Sequence, residues 1–265
     1  MSGLRIAING AAGRMGQRLI ALASSDENLQ LSSALEWSEH PQFGNDAGEI
    51  AGVGNLDLPL CNEIADGTQA VIDFSVPAGA ETIVNRCTEQ QIPLVMATTG
   101  LSDSQQQLIH DASQTIPIVW APSMSMAVNL TMKLSTIAGE ILKNTPGGAD
   151  VEILERHHRF KEDAPSGTAL RFGSLIAEAM DINNHVHGRE GQTGSRTNDE
   201  IGYHAIRTGD NPGEHTIVFG MLGETIELTV RASNRDCYAL GALEASKFVA
   251  SQSPGLYDMN DVLGL

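Results

Sequence analysis

The stretch LRIAINGAAGRMG, residues 4–16, carries the strongest indication of the fold. Its first six residues are mostly apolar and predict a short buried strand. Glycines then recur at every third position, and residues 17–24 place apolar side chains at helical spacing. A strand, a glycine turn and a helix N-terminus together form the phosphate-binding unit of dinucleotide folds.

The three glycines have separate roles in such a unit. Gly10 permits a tight turn, Gly13 lets the backbone approach a pyrophosphate, and Gly16 allows the helix to pack closely on the strand. The spacing is G-x-x-G-x-x-G rather than G-x-G-x-x-G. Because such a motif is weak evidence alone, the prediction depends on the elements around it.

Glu36 strengthens the prediction of a dinucleotide site. Residues 29–35 predict a second strand, and Glu36 follows it, 20 residues after Gly16. An acidic residue at this distance accepts hydrogen bonds from the adenosine ribose hydroxyls. The next residue is Trp37 rather than an arginine that would favour a 2′-phosphate, so the pair predicts that NADH is preferred to NADPH.

Alternating strands and helices continue through the first half of the chain, which indicates an α/β fold with a doubly wound parallel sheet. Ligands of such sheets bind beyond the carboxyl ends of the strands, so the turns there are candidates for the nicotinamide half of the cofactor. The further strands are predicted at 70–74, 93–96 and 116–120, the helices near 79–90 and 103–113, and the turns at 75–77, 97–100 and 121–124.

The pattern changes after a long helix that is predicted over residues 128–142. Strands and helices no longer alternate regularly, which indicates a second domain of the α+β type. A polar, glycine-rich segment over residues 185–200 predicts a mobile loop. Strands are predicted at 150–155, 204–207, 215–219 and 224–230, and helices from 165 to about 180 and over 239–249.

Composition excludes several classes of partner. The net charge of −17 repels nucleic acid and anionic membrane surfaces, so we expect neither as a partner. The cysteines, Cys61, Cys87 and Cys237, have neither metal-ligand spacing nor the pattern of a disulfide framework. The sequence has no leader-like start and no apolar run of membrane-spanning length, so we expect a soluble, cytoplasmic protein.

A dense basic cluster, RHHRFK at residues 156–161, stands out in this acidic chain and suits an anionic ligand. His157 and His158 can pair with a carboxylate, and Lys161 can protonate an atom that becomes electron-rich after a hydride arrives. The N–H groups of residues 166–168, at a predicted helix start, can hold a carboxylate. A metal site lacks a suitably spaced third ligand, while a solvated basic loop without function stays open as an alternative.

The segment HHRFKEDAPSGTA, residues 157–169, resembles the signature E-x-H-H-x-x-K-x-D-A-P-S-G-T-A of the dihydrodipicolinate reductase family. Residues 10–16 resemble the family's G-A-x-G-R-M-G, and residues 97–100, ATTG, resemble its G-T-T-G. Residues 209–216 and 255–259 are similar to further family segments, so the resemblance covers nearly the whole chain.

The resemblance implies an enzyme that reduces 4-hydroxy-tetrahydrodipicolinate, a dicarboxylate, with loss of water, by hydride transfer from NADH or NADPH to a cyclic unsaturated imine in the diaminopimelate pathway to L-lysine. It makes His157 the catalytic histidine and Lys161 the acid that completes protonation. His158, Gly167 and Thr168 are then expected to bind substrate carboxylates. Nucleotide contacts are expected from Gly10, Ala11, Ala12, Gly13, Arg14, Met15, Glu36, Ala97, Thr98, Thr99, Ala121, Pro122, Ser123 and Met124.

The family's fold is a Rossmann-type doubly wound parallel sheet plus an α+β substrate and tetramerisation domain with a mixed sheet. By resemblance, residues 1–127 and 238–265 form the dinucleotide-binding domain, and residues 128–237 form the substrate-binding and oligomerisation domain. The resemblance also implies a homotetramer. The sequence departs from the family pattern at two places expected near the nicotinamide. Residue 97 is alanine instead of glycine, and residues 122–124 replace an A-N-F-type turn.

Two other classes of protein compete with this interpretation. A semialdehyde dehydrogenase requires a nucleophilic cysteine near a histidine, and no cysteine here lies in a glycine-rich turn at the predicted domain junction. A non-catalytic NAD-binding sensor would have no use for Lys161 beside two histidines. If NADPH were preferred, a basic residue farther from Glu36, such as Arg14, would have to bind its 2′-phosphate.

Overall fold

The computed structural model describes residues 3–265, which form two compact units. The first unit comprises the chain up to Met126 together with Arg235–Leu265, and the second is Ala127–Asn234. Over the described range, no helix is long and apolar enough to cross a bilayer. In the same range, no group of three or more His, Cys, Asp or Glu side chains is arranged to hold a metal ion.

Strands and helices alternate over the first half of the chain and then become irregular. Up to residue 142 the elements are β1 (Leu4–Asn9), α1 (Arg14–Ala23), β2 (Leu29–Leu35), α2 (Ala47–Ala51), β3 (Leu60–Cys61), β4 (Ala70–Asp73), α3 (Pro77–Gln90), β5 (Leu94–Met96), α4 (Asp103–Ala112), β6 (Pro117–Trp120) and α5 (Met126–Leu142). They continue with β7 (Asp150–His157), α6 (Gly167–Met180), β8 (Asn184–His187), β9 (Glu200–Arg207), β10 (Glu214–Met221), β11 (Glu224–Arg231), α7 (Asp236–Val249), β12 (Gly255–Tyr257) and α8 (Met259–Leu263).

The first unit is built on a parallel sheet with the strand order β12-β6-β5-β4-β1-β2-β3. Ile6, Ala7 and Ile8 of the central strand β1 are fully buried, although successive side chains point to opposite faces. Ile6 and Ile8 belong to the same apolar cluster as Leu19 of α1, and Ala7 belongs to a second cluster with Ile83 of α3. Helices therefore cover both faces, and the predicted doubly wound parallel sheet is confirmed.

The second unit contains a five-stranded sheet with the order β11-β10-β7-β9-β8. β7 and β8 run parallel to β9, whereas β10 is antiparallel to β7 and β11, so the predicted mixed sheet is confirmed. Val151 and Ile153 of β7 share an apolar cluster with Phe172 and Ile176 of α6 and with Met132 of α5. This cluster is the core of the second unit.

Several predicted boundaries in the second unit are wrong, and the strand predicted over residues 204–207 begins at Glu200. The strand predicted over residues 150–155 continues to His157, because His157 pairs with Arg207 of β9. The loop predicted over residues 185–200 begins inside β8, which pairs with β9. β8 is a polar strand without alternating apolar residues, so the sequence pattern does not predict it.

The segment after β8 is attached to the sheet by ion pairs. Arg189 Nη2 lies 2.8 Å from Glu152 Oε1 and 2.6 Å from Glu200 Oε1. Arg196 Nε lies 3.2 Å from the same Glu152 oxygen. These charges explain why the segment is strongly polar, which the sequence analysis interpreted as a sign of mobility.

Candidate active-site residues in the two units

The glycine turn after β1 brings the N-terminus of α1 close to the strand. Gly10 has a φ of +77°, which glycine adopts freely, and a Cβ atom at Gly16 would lie 2.2 Å from the Gly10 carbonyl oxygen. The first N–H groups of α1 have no partner within the helix and can bind a phosphate. Of the residues expected to contact the nucleotide here, Gly10 and Ala11 are buried, Ala12 and Met15 are half-buried, and Gly13 and Arg14 are exposed.

Glu36 joins the end of β2 to this glycine turn. Its carboxylate accepts hydrogen bonds from the Ala12 N–H, at 3.1 Å, and from the Trp37 N–H, at 3.2 Å. These two bonds fix the orientation of a half-buried carboxylate that keeps further lone pairs for ribose hydroxyls. Trp37 itself is exposed.

A cavity of about 530 Å³ lies at the carboxyl ends of β1, β2 and β4. Asn9, Gly10 and Glu36 line it from the strand ends, and Trp37 and Arg86 line it as well. The sequence analysis missed Arg86, although it shares a helical face with Gly79 and Thr82 at spacings of three and four residues, and both of these also line the cavity.

Asp73, at the end of β4, was also missed. It is fully buried, and its carboxylate accepts hydrogen bonds from Asn9 Nδ2 and from Thr98 Oγ1, each at 2.7 Å. The Thr98 hydroxyl, one of the groups expected to contact the nucleotide, is therefore engaged within the protein. Ala97 beside it is buried, whereas Thr99 is exposed. In the sequence, the signal that could have identified Asp73 is its position as the one charged residue at the end of an otherwise apolar strand.

The turn after β6 is held by α7. Ala121 and Met124 are buried, Ser123 is half-buried and Pro122 is exposed. A Cβ atom at Gly241 of α7 would lie 1.7 Å from the Met124 carbonyl oxygen, so the helix can pack against the turn only because residue 241 is glycine. Residues 121–124 thus have a defined position at the carboxyl end of the sheet.

In the second unit, alternation along β7 sets the position of its functional side chains. Val151, Ile153, Glu155 and His157 are the buried residues of the strand, at every second position. A glutamate and a histidine therefore occupy positions that continue the apolar face. The sequence analysis did not single out Glu155. A charged residue at a position that continues a buried apolar face could have identified it as a functional candidate.

Glu155 is the centre of a buried hydrogen-bond network. Its carboxylate accepts two bonds from Arg207, at 2.7 and 2.8 Å, one from the Ser166 N–H at 3.1 Å, and one from His157 Nδ1 at 2.6 Å. Burial acts to raise the pKa of Glu155, but the bonds from Arg207 and His157 outweigh it and hold the pKa below its usual value. The carboxylate is therefore charged. No local pattern in the sequence indicates that Arg207 contacts it.

His157 is oriented by this network. Burial lowers its pKa below the usual value, although Glu155 acts in the opposite direction. With Nδ1 bonded to Glu155, Nε2 is directed towards Gly213, where a Cβ atom would lie 3.0 Å away. The ring of His215 lies 5.2 Å from that of His157, and burial lowers the pKa of His215 to about 4. Two neutral imidazoles thus lie side by side.

His158 and Lys161 lie beside this network with unused hydrogen-bonding capacity. His158 is half-buried, and its buried Nδ1 atom has no hydrogen-bond partner among residues 3–265. Lys161 Nζ lies 2.8 Å from Asp163 Oδ1, and this contact holds the pKa of Asp163 below its usual value. Arg207 donates to the Asp163 carbonyl oxygen at 2.6 Å, so the loop that carries Lys161 is linked to the same arginine.

Gly167 and Thr168 begin α6 next to this cluster. Ser166 caps the helix by accepting a hydrogen bond from the Ala169 N–H at 3.2 Å, and its hydroxyl also lies 3.1 Å from His215 Nε2. Gly167 is exposed with open space where a Cβ atom would be. The free N–H groups of this first turn can hold an anion.

Arg156, which the sequence analysis left without a role, pairs with Glu214 of β10. Glu214 also pairs with Arg231 of β11 at 3.0 Å. Arg156 is an exposed residue of β7, on the opposite face from His157. Its contacts link three strands of the sheet, away from the buried network.

The cysteines do not provide an activated thiol. Burial raises the pKa of Cys87 and of Cys237, which opposes formation of a nucleophilic thiolate. Cys61 is half-buried and its thiol donates to the Glu63 carbonyl oxygen. These environments argue against the chemistry of a semialdehyde dehydrogenase.

Two family models match this chain. The model described as "Dihydrodipicolinate reductase, N-terminus" matches residues 4–124. The model described as "Dihydrodipicolinate reductase, C-terminus" matches residues 127–263.

Relatives over the full length bear the corresponding enzyme name. A 4-hydroxy-tetrahydrodipicolinate reductase of Rhodopirellula baltica is 56% identical over 99% of this chain and 96% of its own length, and one of Syntrophotalea carbinolica is 44% identical over 99% of each. A dipicolinate-bound dihydrodipicolinate reductase from Paenisporosarcina sp. TG-14 has the same fold, with a TM-score of 0.77, 24% identity and 97% of both chains covered. This chain therefore belongs to the dihydrodipicolinate reductase family.

Proposed function

We propose that this chain reduces 4-hydroxy-tetrahydrodipicolinate, with loss of water, to tetrahydrodipicolinate in the diaminopimelate pathway to L-lysine, using NAD(P)H. The observation that carries the proposal is the buried Glu155–His157–Arg207 network next to Lys161 and the N-terminus of α6. It occurs in a chain that is 56% identical to a relative bearing this enzyme's name.

The first unit has groups that fit a dinucleotide. The N-terminus of α1 offers N–H donors for the pyrophosphate, and Glu36 offers acceptors for the ribose hydroxyls. Residues 10–15, 97–99 and 121–124 are the further contacts that we propose. The bound nucleotide supplies the hydride, and the protein supplies its binding and orientation.

We propose that NADH is used at least as well as NADPH. The free 2′-hydroxyl of NADH can donate to Glu36, whereas the 2′-phosphate of NADPH would be repelled by that carboxylate. Trp37, the next residue, brings no positive charge. The expected outcome is a kcat/KM for NADH that equals or exceeds the value for NADPH.

The second unit has groups that suit a substrate with two carboxylates. No residue in the described part of the chain pairs with His158 Nδ1. The first N–H groups of α6 and the Thr168 hydroxyl are available to an anion. We assign His158, Gly167 and Thr168 to carboxylate binding. Their positive and N–H-rich surroundings offset the repulsion expected from a chain with a net charge of −17.

Lys161 and His157 are the proposed catalytic residues. Loss of the substrate hydroxyl as water yields a conjugated cyclic imine, and addition of a hydride to it leaves an electron-rich ring that takes up one proton. Lys161, held by Asp163, donates that proton from Nζ. His157, fixed by Glu155 with Nε2 free, contacts the reacting ring.

The remaining proposals concern assembly and location. We propose a homotetramer formed through the second unit, whose mixed sheet exposes Leu154 and Ile206. We also propose that the enzyme acts in the cytoplasm.

The proposed function is tested by following oxidation of NADH and NADPH with substrate generated enzymatically in the same vessel. We expect oxidation of either cofactor that depends on the substrate, with NADH at least as efficient as NADPH in kcat/KM. A clear preference for NADPH would contradict the cofactor assignment alone. Absence of oxidation with both cofactors, by folded protein that binds NADH, would contradict the proposed reaction.

A further inference from the structure

The cavity beside Glu36 contains one basic side chain. Arg86 reaches it from α3 and is half-buried, and among the described residues that line the cavity it is the only lysine or arginine. Glu36 contributes the negative charge. The cavity therefore combines an acceptor for ribose hydroxyls with a separate group that can bind an anion.

Most of the hydrogen-bonding capacity of Arg86 is unused. Its Nη1 atom donates to the Asn62 carbonyl oxygen, and nowhere in residues 3–265 does a carboxylate lie within salt-bridge distance of Arg86. In the same unit, Arg18 and Lys247 each pair with an aspartate, at 2.6 and 2.7 Å. A guanidinium has five N–H donors, so Arg86 keeps several for a ligand.

A phosphate on the ribose 2′-oxygen needs such a group. The two oxygens of Glu36 already accept from the backbone at Ala12 and Trp37, so its carboxylate is fixed in place and its charge opposes a 2′-phosphate. Trp37 occupies the position at which an arginine would offset that charge. Arg86 is the remaining lining residue that can pair with a phosphate through charge-assisted hydrogen bonds.

We propose that Arg86 binds the 2′-phosphate of NADPH and thereby lets this chain use NADPH as well as NADH. The inference rests on the proposed function, because it concerns the nucleotide of that reaction. It assigns the discrimination between the two cofactors to α3 rather than to the residue after Glu36. It also replaces Arg14, the more distant basic residue considered from the sequence.

Direct binding to the full-length chain tests the proposal without turnover. Isothermal titration calorimetry is carried out with 2′,5′-ADP and with 5′-AMP, which differ only in the 2′-phosphate. For Arg86→Met we expect binding of 2′,5′-ADP to weaken by about tenfold or more, and binding of 5′-AMP to change by less than about twofold. Arg171→Met, at an exposed arginine of α6, is the matched control, and we expect it to leave both affinities unchanged.

A second variant separates loss of charge from loss of structure. Trp37→Arg in the Arg86→Met background is expected to restore much of the 2′,5′-ADP affinity, because it brings a guanidinium next to Glu36. Equal weakening of both ligands by Arg86→Met, no weakening of either, or a wild-type chain that binds 5′-AMP but not 2′,5′-ADP would each overturn the proposal. A wild-type chain that binds neither ligand, nor NADH, would contradict the proposed function as well.

Discussion

At the scale of single residues, the contacts of Lys161 differ from those of the other charged groups around it. Glu155 and Arg207 are held by several bonds within the protein, whereas over residues 3–265 Lys161 Nζ has one ion pair, to the exposed Asp163. A group that is held loosely by one partner can turn to a substrate. Asp163 therefore holds Lys161 Nζ near the network, and the single contact leaves the amine free to turn.

Replacement of Lys161 tests its role as the acid. We expect Lys161→Ala to lower kcat by about 100-fold to 10,000-fold, while the Kd for NADH stays within about twofold of the wild-type value. Lys133→Ala, at an exposed lysine of α5, is the matched control and should leave kcat unchanged. Turnover of Lys161→Ala at the wild-type rate would refute the assignment.

Glu155 is expected to act through His157. Its negative charge raises the pKa of His157, whereas burial lowers it, so Glu155→Gln should lower that pKa further. The change is measured by titrating the His157 ring resonances in NMR spectra of the folded protein. Glu152→Gln is the control. It makes the same change on β7 at a residue that pairs with His204, and it should leave the pKa of His157 unchanged. An upward shift in Glu155→Gln would show that the carboxylate does not stabilise the charged ring.

At the scale of elements, close packing of α1 on β1 depends on one missing side chain. Gly16→Ala would put Cβ 2.2 Å from the Gly10 carbonyl oxygen, so helix and strand would have to separate. We expect the free energy of unfolding to fall by more than about 2 kcal/mol, measured by urea denaturation. Gly167→Ala, where a Cβ atom meets open space, is the control and should change stability by less than about 1 kcal/mol. Equal stability of both variants would mean that the turn can relax at little cost.

Elements with strong local patterns could be predicted from the sequence, and those defined by pairing could not. The strand, glycine turn and α1 were recognised because apolar periodicity and glycine spacing lie within one short segment. The polar strand β8 exists through its pairing with β9, which no local pattern reveals. The end of β7 was predicted two residues early for the same reason, since pairing with β9 extends it to His157.

The residues of the candidate site also fall into those that could be predicted from the sequence and those that could not. His157, His158 and Lys161 occur together in the chain, so a basic cluster drew attention to them. Arg207 reaches Glu155 from a different strand, and their contact depends on how β7 and β9 align. Arg86 was missed because one arginine in a helix has no distinctive sequence context, and only the cavity gives it significance.

At the scale of the whole molecule, the exposed face of the mixed sheet can be tested as an assembly surface. We expect light scattering after size exclusion to give the mass of four chains of 28.2 kDa. Leu154→Glu should reduce the mass, because it puts a charge in place of an exposed leucine of that face. Leu170→Glu, at an exposed leucine of α6, is the control and should leave the mass unchanged. A wild-type monomer would contradict the proposed tetramer.

The division of the first unit between two chain segments has a consequence for synthesis. The helix α7 contributes Ala239, Ala242 and Val249 to the apolar cluster that covers one face of the parallel sheet, and β12 adds an edge strand beside β6. The ribosome releases these segments after the continuous second unit has emerged. We therefore expect the nascent nucleotide-binding unit to keep an uncovered apolar face until α7 and β12 have emerged, and to rely on chaperones during that interval.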